Sequence, residues 1–120
     1  MMKVIIEDRD KNGVDFFCST DYAFCRITIS NKCPNVAFIS NLVVDRKRRG
    51  GKLAVAMIAE VECVALEQGC GMISLEVKYN SWKAKFYRRL GYTPVCDNYS
   101  GDLITMSKRL YEDPTQNEII

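Results

Sequence analysis

The sequence predicts one mixed α/β domain with a mostly antiparallel central sheet, and three observations support this. The chain has 120 residues, enough for one domain with a buried core and too few for two. Its first thirty residues alternate or cluster β-branched and aromatic side chains, which is typical of strands. Strand-like and helix-like segments then alternate, which implies a crossover between parallel neighbouring strands inside a mixed sheet.

The first part of the chain is predicted to form four strands. Asn12 and Gly13 supply a turn of the type that joins hairpin strands. The fourth segment is apolar over most of its length, as expected for a central strand. The four predicted strands span residues 3–6, 14–19, 22–30 and 36–44.

A helix and a further strand follow. Apolar residues recur at helical spacing over residues 51–68, and Gly69 and Gly71 are typical of a helix end. Residues 72–77 then form a second apolar, strand-like run. The pattern predicts a helix that packs on the sheet and returns the chain to a strand parallel to the fourth.

A shorter second helix is predicted next. Asn80 or Ser81 can cap its first turn, and Gly91 can end it. Its apolar stripe contains Trp82, Phe86 and Leu90. Two last strands are predicted at residues 92–96 and 103–107, so that a single domain covers residues 1–110. The polar segment 111–120 is predicted to be a flexible tail.

Composition excludes several classes of function. Apolar residues make up 48% and charged residues 27%, with a net charge of +2, so the whole chain does not match nucleic acid electrostatically. The chain has six cysteines, no two of which are spaced as C-x-x-C, and it has no histidine. Neither a zinc site nor a Cys/His nucleophile is therefore expected. No apolar run approaches the ~20 residues of a membrane span, and no signal peptide is visible. We therefore expect a cytoplasmic protein without a metal and without a membrane association.

A loop between the fourth strand and the first helix is a candidate anion site. Four cations at residues 46–49 precede Gly50 and Gly51, and Lys52 follows. Unpartnered N–H groups and the helix dipole favour anions at such a helix start, and glycines let the backbone approach a phosphate. The same sequence is equally typical of a solvated turn, so the loop alone does not decide the function.

A second segment makes the chain resemble the GNAT superfamily of N-acetyltransferases. In that family a strand, an asparagine, a tyrosine and a terminal glycine-aromatic pair follow the coenzyme loop in this order. The matching residues are Leu75, Val77, Asn80, Tyr87, Gly91 and Tyr92 in this segment and Val44, Arg49, Gly50 and Ala54 in the loop. The resemblance covers about residues 36–107 and implies a GNAT-like fold with a strand-helix-strand-helix coenzyme-binding core.

The resemblance implies that acetyl-CoA is the co-substrate. Backbone amides of residues 49–54 would hold its diphosphate, and the strand at 41–44 would splay from its parallel neighbour and pair with the pantetheine arm. A backbone N–H near Val43 would polarise the acetyl carbonyl, and Asn80 would bind pantetheine and cap the second helix. The implied coenzyme-binding residues are Leu42, Val43, Val44, Arg48, Arg49, Gly50, Gly51, Lys52, Leu53, Ala54, Asn80 and Tyr87.

Two catalytic residues are implied for acetyl transfer to a primary amine by direct attack in a ternary complex. Tyr87 is the candidate acid for the departing thiolate, since a phenol with a pKa near 10 can donate its proton; the alternative is a tyrosine that only packs beside Phe86. Glu76 is the candidate base, because its alternation with buried neighbours turns it to the other sheet face, although it could equally be a surface carboxylate. Asp45 is a weaker candidate.

The sequence departs from the family in the coenzyme loop, at Lys83, which replaces the alanine usual three residues after the asparagine, and in the segment before Val36. With Arg49 as the loop's arginine, Lys52 stands where a glycine is expected; with Arg48 instead, Leu53 stands where glycine or alanine is expected. No helical pattern precedes Val36, where the family usually has two helices that form one wall of the acceptor site. We therefore expect a reduced acceptor half, which a homodimer could complete.

Two other functions remain open at this point. One is a nucleic-acid-binding module that uses residues 46–49 and the basic second helix, although the balanced net charge argues against it. The other is a GNAT-like protein that binds coenzyme without catalysis. For an active enzyme, the amine acceptor is either a small molecule or a protein lysine or N-terminus.

Overall fold

A computed structural model describes residues 4–48 and 52–110, with the backbone alone for residues 96–100. The strands are β1 (Val4–Asp10), β2 (Gly13–Ser19), β3 (Ala23–Ser30), β4 (Val36–Val44), β5 (Met72–Lys78), β6 (Thr93–Ser100) and β7 (Leu103–Arg109). The helices are α1 (Leu53–Glu67) and α2 (Trp82–Arg89), and a 3-10 turn spans Arg46–Arg48. The predictions for Arg49, Gly50, Gly51 and the tail 111–120 fall outside the described residues.

All seven strands belong to one sheet in the order β1-β2-β3-β4-β5-β7-β6. β4 and β5 are parallel and every other neighbouring pair is antiparallel. The single parallel pair is joined through α1, as the alternation of segments predicted. The predicted fold class, a mixed and mostly antiparallel α/β sheet, is therefore confirmed. Within the described ranges, neither helix is long and apolar enough to cross a membrane.

Helices cover one face of the sheet and leave the other uncovered. α1 and α2 both pack on one face, which we call the helix-side face, where alternate residues of β2, β3 and β5 are buried. We call the other the open face. Its residues on β2 and β3 are half-buried, and Phe38 on β4 keeps 36% of its surface exposed. No helix precedes β4 in residues 4–48, so the predicted absence of the two N-terminal helices holds for this range.

β1 is an edge strand whose seven residues are all exposed. Its turn to β2 is tight because the Asp10 carboxylate accepts hydrogen bonds from the backbone N–H groups of Asn12 (2.7 Å) and Gly13 (3.1 Å). The turn agrees with the prediction from Asn12 and Gly13. The strand itself is longer than the predicted 3–6, since the charged residues after Ile6 continue the pairing with β2.

α1 buries one stripe against the centre of the sheet. Its buried side chains recur at helical spacing and are Met57, Ile58, Val61, Val64 and Ala65. They pack on β3, β4 and β5. The end of the helix places Cys70 in the core and returns the chain through Gly71, whose N–H donates to the Asn35 side chain at 2.9 Å. The end of α1 is thereby fixed next to the start of β4.

Candidate active site

The two parallel strands separate at the centre of the sheet. β4 and β5 pair from Val36 with Met72 as far as Ile39 with Leu75. β4 continues to Val44 and β5 to Lys78, and neither pairs with the other over these later residues. The splay expected for residues 41–44 is therefore present, and it leaves backbone groups on the inner edge of β4 without a neighbouring strand.

A β-bulge lies where β4 leaves β5. Ile27 of β3 pairs with Ile39, whereas the preceding Arg26 pairs with Asn41, so Ser40 is the extra residue. The Ser40 hydroxyl lies 3.4 Å from the Arg26 carbonyl oxygen and donates to it. A bulge bends a strand and increases its local twist, which is a sufficient physical reason for β4 to turn away from β5 at this point.

The loop after β4 is fixed by local hydrogen bonds. Asp45 donates its N–H to the Tyr22 carbonyl at 2.7 Å, and its carboxylate accepts from the Lys47 N–H at 2.9 Å. The Arg48 guanidinium lies 3.7 Å from the centre of the Tyr22 ring. Lys52 is exposed, has an ordinary helical φ of −80° and makes no side-chain cap for α1. The first turn of α1 also contains no acidic residue, so its N–H groups are compatible with an anion.

The second helix is capped by Ser81 and not by Asn80. The Ser81 hydroxyl accepts the Ala84 N–H at 3.2 Å, and Ser81 has the extended backbone of an N-cap. Asn80 turns the chain with a positive φ of 64° and is exposed. The expectation that Asn80 caps the helix is therefore wrong, because its left-handed conformation directs the cap to the next residue. Its proposed contact with pantetheine is a separate prediction that its exposure permits.

The predicted apolar stripe of α2 is also corrected. Trp82 is 61% exposed, and the fully buried side chains of the helix are Ala84 and Tyr87. Phe86 and Leu90 are half-buried at the rim of the core. The helix is thus rotated so that Tyr87, rather than the Trp82 side of the helix, faces the sheet.

The end of α2 anchors the backbone of Tyr87. The Tyr92 N–H donates to the Tyr87 carbonyl at 3.0 Å, and the Gly91 N–H donates to the Arg88 carbonyl at 3.1 Å. This pair of bonds is a Schellman motif, which needs a left-handed residue, and Gly91 supplies it with a φ of 97°. The motif residues Tyr87, Gly91 and Tyr92 therefore form the C-terminal end of α2. The candidate acid, Tyr87, is part of this helix stop.

The Tyr87 ring is buried within an aromatic group. It retains 2% of its exposure and lies edge-on to Phe86 and Tyr92, with ring centres 5.2 and 5.3 Å away. Burial raises the pKa of Tyr87 above its ordinary value, with a smaller contribution from the nearby Cys25 thiol. Burial also raises the pKa of Cys25 to about 12. Tyr87 consequently keeps its proton throughout the neutral range.

Glu76 lies on the open face, as its alternation with Leu75 and Val77 predicted. Both neighbours are buried on the helix-side face and Glu76 is exposed. It pairs in register with Thr105 of β7 and belongs to the part of β5 that no longer pairs with β4. Asp45 is the less suitable base, because its carboxylate is engaged by the backbone of its own turn.

Three polar side chains on the open face form a group that the sequence did not single out. Asp15 accepts hydrogen bonds from Thr28 (2.6 Å) and Arg26 (2.8 Å). The Thr28 bond is the main reason why the pKa of Asp15 lies below its ordinary value, against a smaller opposing effect of burial. They line a depression of about 250 Å³ formed by β1, β2 and β3, which does not include the separated ends of β4 and β5.

Glu62 and Lys108 were also missed. The Glu62 carboxylate accepts from the Tyr92 hydroxyl at 2.8 Å and from the Lys108 ammonium at 3.1 Å. These residues lie on α1 and β7 and are distant in sequence from Tyr92. No local motif marks them, so only the packing of three elements brings them together.

The sequence model of the acetyltransferase (GNAT) family matches residues 9–92. The chain belongs to the GNAT family. It is accordingly an acyltransferase. No curated protein sequence matches the chain significantly.

Solved GNAT structures share the fold at low sequence identity. The ribosomal-protein-S18-alanine N-acetyltransferase of Escherichia coli is 18% identical with a TM-score of 0.67, over 88% of this chain and 74% of its own. The PaiA N-acetyltransferase of Thermoplasma acidophilum, in complex with coenzyme A, is 20% identical with a TM-score of 0.68, over 82% and 61%. An aminoglycoside 6′-N-acetyltransferase complexed with coenzyme A is 15% identical with a TM-score of 0.67, over 88% and 77%.

The candidate site thus combines three features. The start of α1 is compatible with an anion, and the splay leaves strand backbone unpaired. Tyr87 is buried on the helix-side face and remains protonated. No cluster of three or more His, Cys, Asp or Glu side chains suited to a metal occurs in the described part of the chain.

Proposed function

We propose that this GNAT protein transfers the acetyl group of acetyl-CoA to a primary amine by direct attack within a ternary complex. The observation that carries the proposal is the splay of β4 from β5 immediately beside the start of α1. The unpaired backbone of β4 can bind the amide-containing arm of coenzyme A, and the start of α1 can bind its diphosphate. The two groups follow one another in coenzyme A in the same order as these two elements do in the chain.

The coenzyme would lie along the inner edge of β4 and end at α1. Leu42, Val43 and Val44 would contact the pantetheine arm through their backbone. The amides of Leu53 and Ala54 would face the diphosphate, with Lys52 adding charge. The remaining proposed contacts, which the sequence supplies, are Arg48, Arg49, Gly50, Gly51, Asn80 and Tyr87. For Arg48 this requires the guanidinium to reach the coenzyme from its position over Tyr22.

The proposed reaction needs two proton transfers. The amine nitrogen attacks the thioester carbonyl, the C–S bond breaks, and Tyr87 donates its proton to the leaving sulfur while the amine loses one to a base. A backbone N–H near Val43 would stabilise the oxyanion. Burial would also raise the pKa of a thiol in the same place, so the raised pKa of Tyr87 does not by itself prevent the transfer.

The acceptor would approach from the open face. Glu76 is exposed there, and neither α1 nor α2 covers that face. Among similar folds, one relative is named for a ribosomal protein alanine and another for an aminoglycoside, so this fold serves both protein and small-molecule amines. A face without a covering helix suits either kind of acceptor.

Acetyl-CoA should stabilise the protein. A ligand that binds only the folded state adds ~2.7 kcal/mol at a hundred times its dissociation constant, so millimolar acetyl-CoA should raise the melting temperature by several degrees. Thermal denaturation with acetyl-CoA, and with AMP as a control for a nucleotide without pantetheine, measures this. An unchanged melting temperature would refute the proposal. Steeply salt-dependent binding of an oligonucleotide, with no response to acetyl-CoA, would favour the nucleic-acid alternative.

Glu76→Gln should lower turnover at neutral pH without weakening acetyl-CoA binding, because the amide cannot accept the proton of the amine. We expect a loss of about 10²-fold, typical of general base catalysis. Turnover measured from pH 6 to 10 should show recovery at high pH, where the amine loses its proton unaided. Glu67→Gln, an exposed change at the end of α1, is the matched control. Equal activity of the two variants would make Glu76 a surface carboxylate.

A further inference from the structure

A buried polar contact links three elements behind the candidate acid. The Tyr92 hydroxyl donates to Glu62 at 2.8 Å, and Lys108 donates to both carboxylate oxygens at 3.3 and 3.1 Å. The Lys108 ammonium also lies 5.6 Å from the centre of the Tyr92 ring. Side-chain exposure is 17% for Glu62 and 29% for Lys108, and Tyr92 is 1% exposed. The contact joins α1, the end of α2 and β7.

Tyr92 is in turn the support of Tyr87. Its N–H holds the Tyr87 carbonyl, and its ring packs edge-on against the Tyr87 ring. The backbone hydrogen bond fixes the position of the Tyr87 backbone, but the ring can still rotate about its side-chain torsions. What limits the ring is its neighbours, and Tyr92 is the neighbour whose far end is itself tied down by charged hydrogen bonds.

We propose that Glu62 is a positioning residue for Tyr87: by anchoring the Tyr92 hydroxyl, it holds the Tyr92 ring as a fixed wall against which the candidate acid is aligned. The proposal rests on the proposed acetyl transfer and names a residue for it that the family match does not supply. Because Glu62 lies on α1, the element whose start is proposed to hold the diphosphate, it also sets the position of the acid relative to the bound coenzyme.

Lys108 already neutralises the partly buried Glu62 carboxylate, and the Tyr92 hydroxyl is a second donor to it. Phenylalanine at position 92 would fill the same core volume without a hydroxyl to satisfy. The hydrogen bond from the Tyr92 hydroxyl fixes the distance between Tyr92 and α1. A purely apolar contact would fix this distance less narrowly. Alignment of a catalytic group is sensitive to such distances, since a displacement of about 1 Å can cost ~10²-fold in rate.

The test is a double-substitution cycle in the full-length protein. Tyr92→Phe removes the hydroxyl and keeps the ring, and Glu62→Leu keeps the approximate size and removes both oxygens that accept hydrogen bonds. Each should lower kcat by about tenfold or more with little change in the KM for acetyl-CoA. In a Tyr87→Phe background the same changes should have no further effect on kcat, because the group they align is gone. Additive losses of kcat would overturn the proposal.

A stability-matched control separates alignment from general loosening. Ile58→Val creates a small cavity in the core of α1, where Ile58 is 1% exposed and has no part in the contact. It should lower the melting temperature and leave kcat at 25 °C unchanged. If Ile58→Val lowered kcat as much as Tyr92→Phe at equal loss of melting temperature, the role of Glu62 would be structural only.

A measurement without turnover makes the outcome independent of the proposed reaction. In protein with ¹³C-labelled tyrosine rings, the Tyr87 signal is identified by its loss in Tyr87→Phe. Tyr92→Phe and Glu62→Leu should speed the flipping of the Tyr87 ring, whereas Ile58→Val should not. Unchanged ring flipping would refute the positioning role, whether or not acetyl-CoA binds. Failure of the proposed function would instead appear as the absent acetyl-CoA stabilisation described above.

Discussion

Tyr87→Phe should lower the turnover of acetyl-CoA by about 10²- to 10⁴-fold, the usual contribution of a general acid. The ring that fills the core is retained, so the fold and the affinity for acetyl-CoA should change little. The physical reason is the loss of the hydroxyl, which is the only part of Tyr87 that the substitution removes and which burial keeps protonated in the neutral range. Initial rates at saturating acetyl-CoA, together with the melting temperature, measure the two effects separately.

The matched control is Tyr79→Phe, which removes the same hydroxyl from a residue that is 57% exposed. It should leave turnover within a factor of two or so of the parent. The pH profile gives a second check: because the pKa of Tyr87 is raised, its deprotonation should not limit the rate until pH exceeds ~10. A Tyr87→Phe enzyme as active as the parent would show that the residue is a packing aromatic, as the alternative holds.

Ile27→Ala should cost more stability than any exposed change in the sheet, about 2–5 kcal/mol of unfolding free energy. Ile27 has no exposed surface and lies on β3 beneath α1. For a chain of this size, such a loss lowers the melting temperature by roughly 10 °C or more. Thermal and urea denaturation should agree on the loss, with an unchanged urea slope if the unfolded state is unaffected.

Ile6→Ala removes the same atoms from a residue that is 57% exposed on β1 and provides the control. It should change the unfolding free energy by about 0.5 kcal/mol or less. The comparison tests the assignment of the two faces directly, since both residues occupy strands of the same sheet. Equal losses would mean that β1 is covered in solution and that the exposed edge is an interface.

Local patterns predicted most of the elements because each carries its own signal. The alternation in β2 and β3 and the helical spacing in α1 are consequences of burial on one face, which recurs at the period of each element. The glycine stop of α2 reflects the left-handed conformation that its Schellman motif needs. The turn at Asn12 and Gly13 is equally local. Glu76 could be assigned to the open face for the same reason: a strand residue between two buried neighbours must point the other way.

The errors of prediction arose where two local signals competed. Both Asn80 and Ser81 are good cap residues, and only the backbone decides between them: Asn80 takes the left-handed turn and Ser81 the extended N-cap. In α2, Trp82 was assigned to the buried stripe because it lies at helical spacing from Phe86 and Leu90. The buried residues of the helix are instead Ala84 and Tyr87, on the side of α2 that packs on β5.

Sequence alone thus determined the order of the elements, the fold class and the residues that carry the family motif, because these depend on periodicity and spacing along the chain. The family resemblance also implied the splay of β4 from β5, but only the tertiary structure showed the bulge where it begins, which face stays open and what surrounds Tyr87. The splay depends on the pairing of β4 with two neighbours and on the bulge at Ser40. The support of Tyr87 depends on Glu62 and Lys108, residues that meet only when α1, α2 and β7 pack on the same sheet.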